Sequence, residues 1–224
     1  MASFDTTASV GAFLPRNLRL AGRIAARRFG RVMSSAALVC LFLSFAAANF
    51  SHWRSTGAPS GLGITVLEAW VAALFIVRRQ TLELSRRRLA WIAAPIGSFA
   101  MLLARPGGDG LPQVLCEVVQ LSGVLVAFLS LATLGRSFGI VAANRGVKTR
   151  GPYRFVRHPA YMGYLICYLG YAAENPRPLN FVLLFVSTSF QLIRISEEER
   201  VLESSREYRS YREAVRYRLV PSVY

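Results

Sequence analysis

The stretch Arg145-Gly-Val-Lys-Thr-Arg-Gly-Pro-Tyr-Arg-Phe-Val-Arg-His-Pro-Ala-Tyr-Met-Gly163 stands between two apolar runs, and the rest of the chain is read outward from it. Gly151-Pro152 marks a turn, and Pro159 directly after His158 predicts the first turn of a helix, where the missing N–H of proline costs nothing. His158 is thereby expected at a helix N-terminus, where free backbone N–H groups and the positive helix end suit an anion such as a carboxylate or phosphate. The predicted helix carries Tyr161, Tyr164, Tyr168 and Tyr171 on one face, at spacings of three, four and three. All nine tyrosines lie at or beyond Tyr153. The stripe reads either as interhelical packing or as an aromatic wall for a planar or cationic ligand.

On both sides of this stretch the chain is apolar. Charge-poor runs occur at 32–50, 62–77, 89–104, 111–134, 159–173 and 179–193, which makes six candidate membrane spans. Several are short, because crossing ~30 Å of hydrocarbon takes about 20 helical residues. The last two are joined by Glu174-Asn175-Pro176-Arg177-Pro178, a run of helix breakers that reads as the tip of a tight helical hairpin. The whole chain has 224 residues, 53% of them hydrophobic, and a formal net charge of +15. A basic soluble nucleic-acid binder or a disordered basic tail lacks this apolar content, so no nucleic-acid partner is expected. Cys40, Cys116 and Cys167 sit alone in apolar runs and only His52 and His158 are present, which fits neither a disulfide framework nor a metal site.

The charge is sorted by the spans. Successive segments between them hold six, one, five, one, six, one and seven Lys and Arg, so 24 of the 27 fall on one face. This is the positive-inside pattern and places both termini in the cytoplasm. Arg23, Arg27 and Arg31 recur every four residues with Leu20 and Ile24 interleaved, as in an interfacial amphipathic helix or, alternatively, a targeting sequence. The first run also admits reading as a signal peptide ending near Ala46-Ala47-Ala48, but its length and long Arg-rich lead favour a retained span. Two acids, Glu68 and Glu117, interrupt the spans at similar depth. Intramembrane carboxylates serve either as hydrogen-bonded glue between helices or as part of a functional pathway.

Beyond the sixth run comes Arg194-Ile-Ser-Glu197-Glu198-Glu199-Arg200. Taken alone, the three carboxylates read as a solvated face. Val201, Leu202, Tyr208, Tyr211, Val215 and Leu219 then follow at helical spacing, predicting an amphipathic helix against the cytoplasmic membrane surface.

Together these pieces resemble the isoprenylcysteine carboxyl methyltransferase and phospholipid methyltransferase superfamily of integral membrane enzymes. The family signature is Gly-x-Tyr, then Arg-His-Pro-x-Tyr-x-Gly, a helical hairpin with Asn-Pro near its tip, and an Arg followed closely by Glu-Glu. The chain has Gly151-Pro152-Tyr153, Arg157-His158-Pro159-Ala160-Tyr161-Met162-Gly163, Asn175-Pro176, and Arg194 before Glu198-Glu199, in that order. The likeness covers residues 136–224, including Tyr208-x-x-Tyr211 and Arg218-Leu219-Val220-Pro221 as in bacterial members; the first three spans carry no family motif.

The resemblance implies binding of S-adenosyl-L-methionine at the cytoplasmic mouth, with the methyl acceptor entering from the lipid side. By similarity Val147, Lys148, Tyr153, His158, Pro159, Ala160, Tyr161, Gly163, Glu198 and Glu199 are the cofactor-binding candidates, and Arg194 and Glu198 the catalytic ones. Chemically, His158 and nearby helix N–H groups suit the cofactor carboxylate, Glu198 the ammonium or diol, and Tyr153 and Tyr161 the adenine or sulfonium. Arg194 is the candidate for positioning an acceptor carboxylate. An amine or thiol acceptor must first lose a proton, with a neighbouring Glu or His158 as base. Arg145 stands where eukaryotic members have His. The triplet Glu197 to Glu199 leaves open which two carboxylates form the pair; Leu202 at the family's spacing favours Glu198 and Glu199.

The expected architecture is therefore an all-α polytopic transmembrane helix bundle of five to six spans with a cytoplasmic C-terminal amphipathic helix. Residues 1–31 form its basic N-terminal segment, 32–134 four spans, and 135–224 the cofactor region. The expected partners are the lipid bilayer and a lipid-like or small hydrophobic acceptor, in a bacterial-type inner membrane. The rival readings are a small proton-coupled transporter using Glu68 and Glu117, and a scaffold whose cofactor site has decayed.

Overall fold

A computed structural model describes residues 16–79, 83–85 and 87–224. Its helices are α1 (Arg16–Thr56), α2 (Pro59–Val77), α3 (Arg88–Phe99), α4 (Gln113–Leu134), α5 (Pro159–Glu174), α6 (Pro178–Leu202) and α7 (Arg206–Ala214). Two short strands, β1 (Glu83–Leu84) and β2 (Ala143–Asn144), pair antiparallel and tie the loop after α2 to the loop after α4. The fold is a bundle of apolar helices, as the composition requires.

Each apolar run forms a helix. Four are long and apolar enough to cross a membrane: Met33–Thr56, Pro59–Val77, Gln113–Ser137 and Pro178–Leu202. The other two are shorter. α5 has 16 residues, and α3 has 12 before a 3-10 turn continues it from Ala100 to Leu103. At ~1.5 Å per residue neither reaches the ~30 Å hydrocarbon thickness by itself. The first helix is longer than its apolar run: with no proline between Pro15 and Pro59, the basic lead and the span are one helix from Arg16. The side chains of Arg23, Arg27 and Arg31, expected to form an amphipathic face, lie outside the described residues.

Local sequence explains the breaks. Gly57 takes φ +73° and Pro59 opens α2, so the chain reverses in three residues. The exposed amides of that helix start are met by Glu117 of α4, which accepts from the Ser60 backbone N–H at 2.7 Å and from its hydroxyl at 3.0 Å. A carboxylate at the positive end of a helix is favoured by the macrodipole. In α3, Pro95 has no N–H to offer the Trp91 carbonyl, and in the last turn of the helix the Gly97 carbonyl accepts from Ser187 Oγ (3.1 Å) and Gln191 Nε2 (3.2 Å) of α6.

The hairpin between α5 and α6 has the tight tip expected of its breakers. Asn180 accepts from the Arg105 N–H at 3.0 Å and donates to the carbonyls of Arg105 and Asn175, both at 2.8 Å. Asn175 accepts from the Gly107 N–H at 2.7 Å. This tip lies at one end of the bundle, and the loops rich in arginine lie at the other.

α4 and α5 pack most closely of all. A Cβ added at Gly163 would lie 2.5 Å from the Ala127 backbone nitrogen, and one added at Gly123 would meet the Cys167 nitrogen and lie 2.6 Å from the Gly163 carbonyl oxygen. Only glycine permits this approach of two backbones.

The C-terminal segment differs from expectation. It is not one surface helix: α6 runs to Leu202, α7 covers only Arg206–Ala214, and the chain then turns back. Tyr217 and Arg218 carbonyls accept from the N–H groups of Arg157 (2.9 Å) and His158 (2.8 Å). Ser205 caps α7 by accepting from the Tyr208 N–H at 3.1 Å. The apolar side of α7 buries Tyr208 and Tyr211 against Tyr153, so its tyrosines complete the protein interior instead of covering lipid.

Candidate functional site

From the basic end inward the helices surround a cavity of about 520 Å³, lined by residues of all seven helices and by the loop between α4 and α5. Three consecutive glutamates show how it is built. Neighbours on a helix point about 100° apart, so α6 sends each carboxylate to a different side. Glu197 goes to α3, where Arg87 Nη1 donates to it at 2.9 Å. Glu199 goes to the loop and tail: Arg157 Nε lies at 2.8 Å, Arg218 Nη2 at 2.9 Å and His158 Nε2 at 3.2 Å. Glu198 faces the cavity, where the Tyr161 hydroxyl donates to it.

Glu197 and Glu199 are 5% and 2% exposed, so the triplet is not a solvated face. Glu199 is held by three cationic or potentially cationic groups and does not line the cavity; its position is that of an anchor between α5, α6 and the C-terminal tail. His158, buried beside it, has its Nδ1 3.8 Å from Glu198 and its ring tilted 5.8 Å from that of Tyr161. The expected helix start is present, with His158 immediately before Pro159.

Four residues before Glu198, and hence on the same face of α6, Arg194 reaches the cavity wall. Its guanidinium donates to Ser98 Oγ at 2.8 Å and to the Ile140 carbonyl at 2.9 Å, and lies 5.0 Å from the Tyr161 ring centroid. No carboxylate pairs with it among the described residues, and its buried Nε has no hydrogen-bond partner.

Of the residues singled out by the resemblance, Val147, Lys148, Tyr153, His158, Ala160, Tyr161, Gly163, Arg194 and Glu198 line this one cavity. Pro159 does not, serving to start α5. Gly163 lies at the α4 contact as well as on the wall. The loop residues are brought there by Gly151 at φ +60°, which turns Tyr153 inward. Tyr153 is nearly inaccessible, its carbonyl accepts from the Tyr211 hydroxyl at 2.6 Å, and burial pushes its phenol well above the ordinary range. Burial likewise pushes up the phenols of Tyr208 and Tyr211, so these groups stay neutral at physiological pH. Arg145 is held below the usual guanidinium value by burial, with Arg78 adding to the effect.

All four tyrosines of the α5 stripe line the cavity. The stripe is thus a wall over about three turns of helix, facing Phe42 and Phe45 of α1. The two intramembrane acids separate. Glu68 lines the cavity and accepts from Asn49 Nδ2 at 3.1 Å, whereas Glu117 is committed to the start of α2 and lies outside the lining. A proton relay joining the two has no geometric support. Ser98, Ile140 and Asn49 carry no pattern that marks them in the sequence, because each joins the site from a distant element.

Residues 114–208 match the family model for phospholipid methyltransferases. No curated protein matches the chain. The matched stretch contains most of α4, the loop after it, all of α5 and α6, and the first residues of α7, and therefore every family-motif residue that lines the cavity.

Proposed function

We propose that this chain, whose residues 114–208 carry a membrane methyltransferase domain of the phospholipid methyltransferase family, takes its methyl group from S-adenosyl-L-methionine and gives it to a lipid-like or small hydrophobic acceptor. The observation that carries the reading is the convergence of Glu198, Tyr161, Arg194 and the Val147–Lys148 loop on one cavity that runs on between the membrane helices.

The residues fit the cofactor's chemistry. A volume of about 520 Å³ is within the ~300–1,000 Å³ of small-molecule sites. Glu198 at the mouth offers a carboxylate for an ammonium or a ribose diol. Lys148 offers a cation for the cofactor carboxylate, a task that His158, engaged by Glu199, performs less directly. Tyr153 and Tyr161 supply aromatic surface near a sulfonium. When bound, the cofactor supplies an electrophilic methyl group.

The protein then has to orient and to exclude water. The cavity walls below Tyr161 are aromatic and aliphatic, and hold an acceptor in line with the mouth. Arg194, buried with no carboxylate partner among the described residues, favours an acceptor with a negative or lone-pair-rich reacting group. On this reading the basic end faces the cytoplasm, both termini lie there, and the membrane is a bacterial-type inner membrane.

The test is purified protein in detergent, with thermal stabilisation by S-adenosyl-L-methionine or S-adenosylhomocysteine and labelled-methyl transfer into a membrane extract. Stabilisation that Glu198→Ala weakens, together with a labelled lipid-soluble product, is expected. Absence of both overturns the reading.

A further inference from the structure

The deep half of the cavity carries polar groups for which the cofactor site has no use. Glu68, on α2, sits nine residues from Val77 at the basic end of its helix; Tyr168 sits nine residues from Pro159 at the basic end of α5. Both line the cavity and, by helical rise, lie about 13 Å from that end. Tyr161, which meets Glu198, is seven residues nearer the mouth, a separation of about 10 Å.

Glu68 has one hydrogen-bond partner among the described residues, Asn49, which occupies only Oε2. The hydroxyls of Tyr164, Tyr168 and Tyr171 have no hydrogen bond among the described residues, although all three side chains line the cavity. The two first rings stack, with centroids 6.4 Å apart and planes at 17°, so the wall is continuous. Phe42 and Phe45 of α1 and Ile64, Leu67 and Val71 of α2 also line it, around Asn49 and Glu68. The deep cavity thus joins a strip of tyrosine hydroxyls on α5 to a hydrocarbon surface on α1 and α2 that Glu68 and Asn49 interrupt.

A plain acyl or polyisoprenoid chain would satisfy the hydrocarbon surface and bury Glu68 and the tyrosine hydroxyls without further partners. Leaving a buried polar group unsatisfied costs about 1–3 kcal/mol, and more for a charged one. We infer that the acceptor is an amphiphile bearing an internal hydrogen-bond donor, a hydroxyl or an amine, about 10 Å from its reacting end, and that Glu68 receives it. Glu68 is then a specificity residue for the acceptor, not a member of the cofactor site. The inference rests on the methyltransferase reading for the direction in which the acceptor lies.

The probes follow from the spacing. An extended chain advances about 1.2 Å per bond, which puts the donor near the ninth carbon. Stearic acid and 9-hydroxystearic acid, and octadecylamine with its 9-hydroxy derivative, are titrated into the detergent-solubilised protein with S-adenosylhomocysteine present. Within at least one pair the hydroxylated probe is expected to bind the unaltered protein about tenfold more tightly, the worth of one hydrogen bond. Glu68→Leu removes that preference, and Glu68→Gln, whose amide oxygen still accepts, retains most of it. Equal binding within both pairs, or a preference that survives Glu68→Leu, overturns the inference. Cofactor-product affinity is measured in the same preparations and is expected to be unchanged in both variants. Its absence from the unaltered protein would defeat the methyltransferase reading while leaving the probe ratio to judge Glu68.

Discussion

Arg157 and Glu199, forty-two residues apart, meet in the interior with Nε 2.8 Å from Oε1, their side chains 5% and 3% exposed. This pair locks the loop before α5 to the end of α6, and Arg218 extends it to the tail through the same carboxylate. A carboxylate so placed acts on the site by holding its parts together.

Removing one member of a buried ion pair strands the other. Glu199→Ala should therefore destabilise the protein by about 3–5 kcal/mol, as read by thermal unfolding in detergent. Glu198→Gln, at a side chain 21% exposed and facing the cavity, should change stability little while weakening S-adenosylhomocysteine binding. Equal unfolding temperatures for the two variants would contradict this division of roles.

Arg194 is fixed by two hydrogen bonds and by the face of Tyr161. Lysine keeps the charge but cannot serve Ser98 and Ile140 together while lying flat on a ring. Arg194→Lys should lower methyl transfer at least about tenfold, one hydrogen bond's worth of orientation, with cofactor affinity preserved. Transfer rates at saturating cofactor decide it.

The α4–α5 contact leaves no room for a methyl group at Gly163 or Gly123. Gly163→Ala should cost about 1–3 kcal/mol through displaced backbone and narrow the cavity that this helix walls. Thermal unfolding and cofactor affinity should both fall, whereas Gly57→Ala, at a turn with open space around it, should show only the strain of its positive φ.

Tyr153, Tyr208 and Tyr211 all have phenols raised by burial. A phenol raised in the folded state holds its proton after the unfolded chain has lost it, so stability is complete below about pH 10 and declines as pH rises further. Unfolding temperature should be flat from neutrality to about pH 9 with respect to these groups and then drop. Tyr211→Phe should reduce that alkaline drop and cost about 1 kcal/mol at neutral pH for the lost bond to the Tyr153 carbonyl. An unchanged alkaline slope would remove Tyr211 from the account.

How much of this was legible from the sequence depends on range. Helical runs, the basic face and the proline-started helix at Pro159 are local matters of hydropathy and backbone chemistry, and all six apolar runs are helices in the structure. The motif from Arg145 to Gly163 and the glutamate triplet were legible as a family likeness, since their spacing lies within single elements. What spacing could not settle was which side of α6 each carboxylate would face, because three neighbours 100° apart meet three different surroundings. Nor could it show that Tyr208 and Tyr211 turn inward, since an amphipathic pattern is the same whether its apolar face meets lipid or protein.

Glu68 and Glu117 make the distinction plain. The chain by itself determined that two carboxylates lie in apolar runs, where the low dielectric demands a partner for each; the similar depth expected of them does not hold, because Glu117 meets Ser60, eight residues and about 12 Å before Glu68 along α2. Only the packing of α1, α2 and α4 decided that Glu117 finds its partner at the start of a helix, in the Ser60 amide and hydroxyl, while Glu68, bonded to Asn49 through Oε2, lines the cavity.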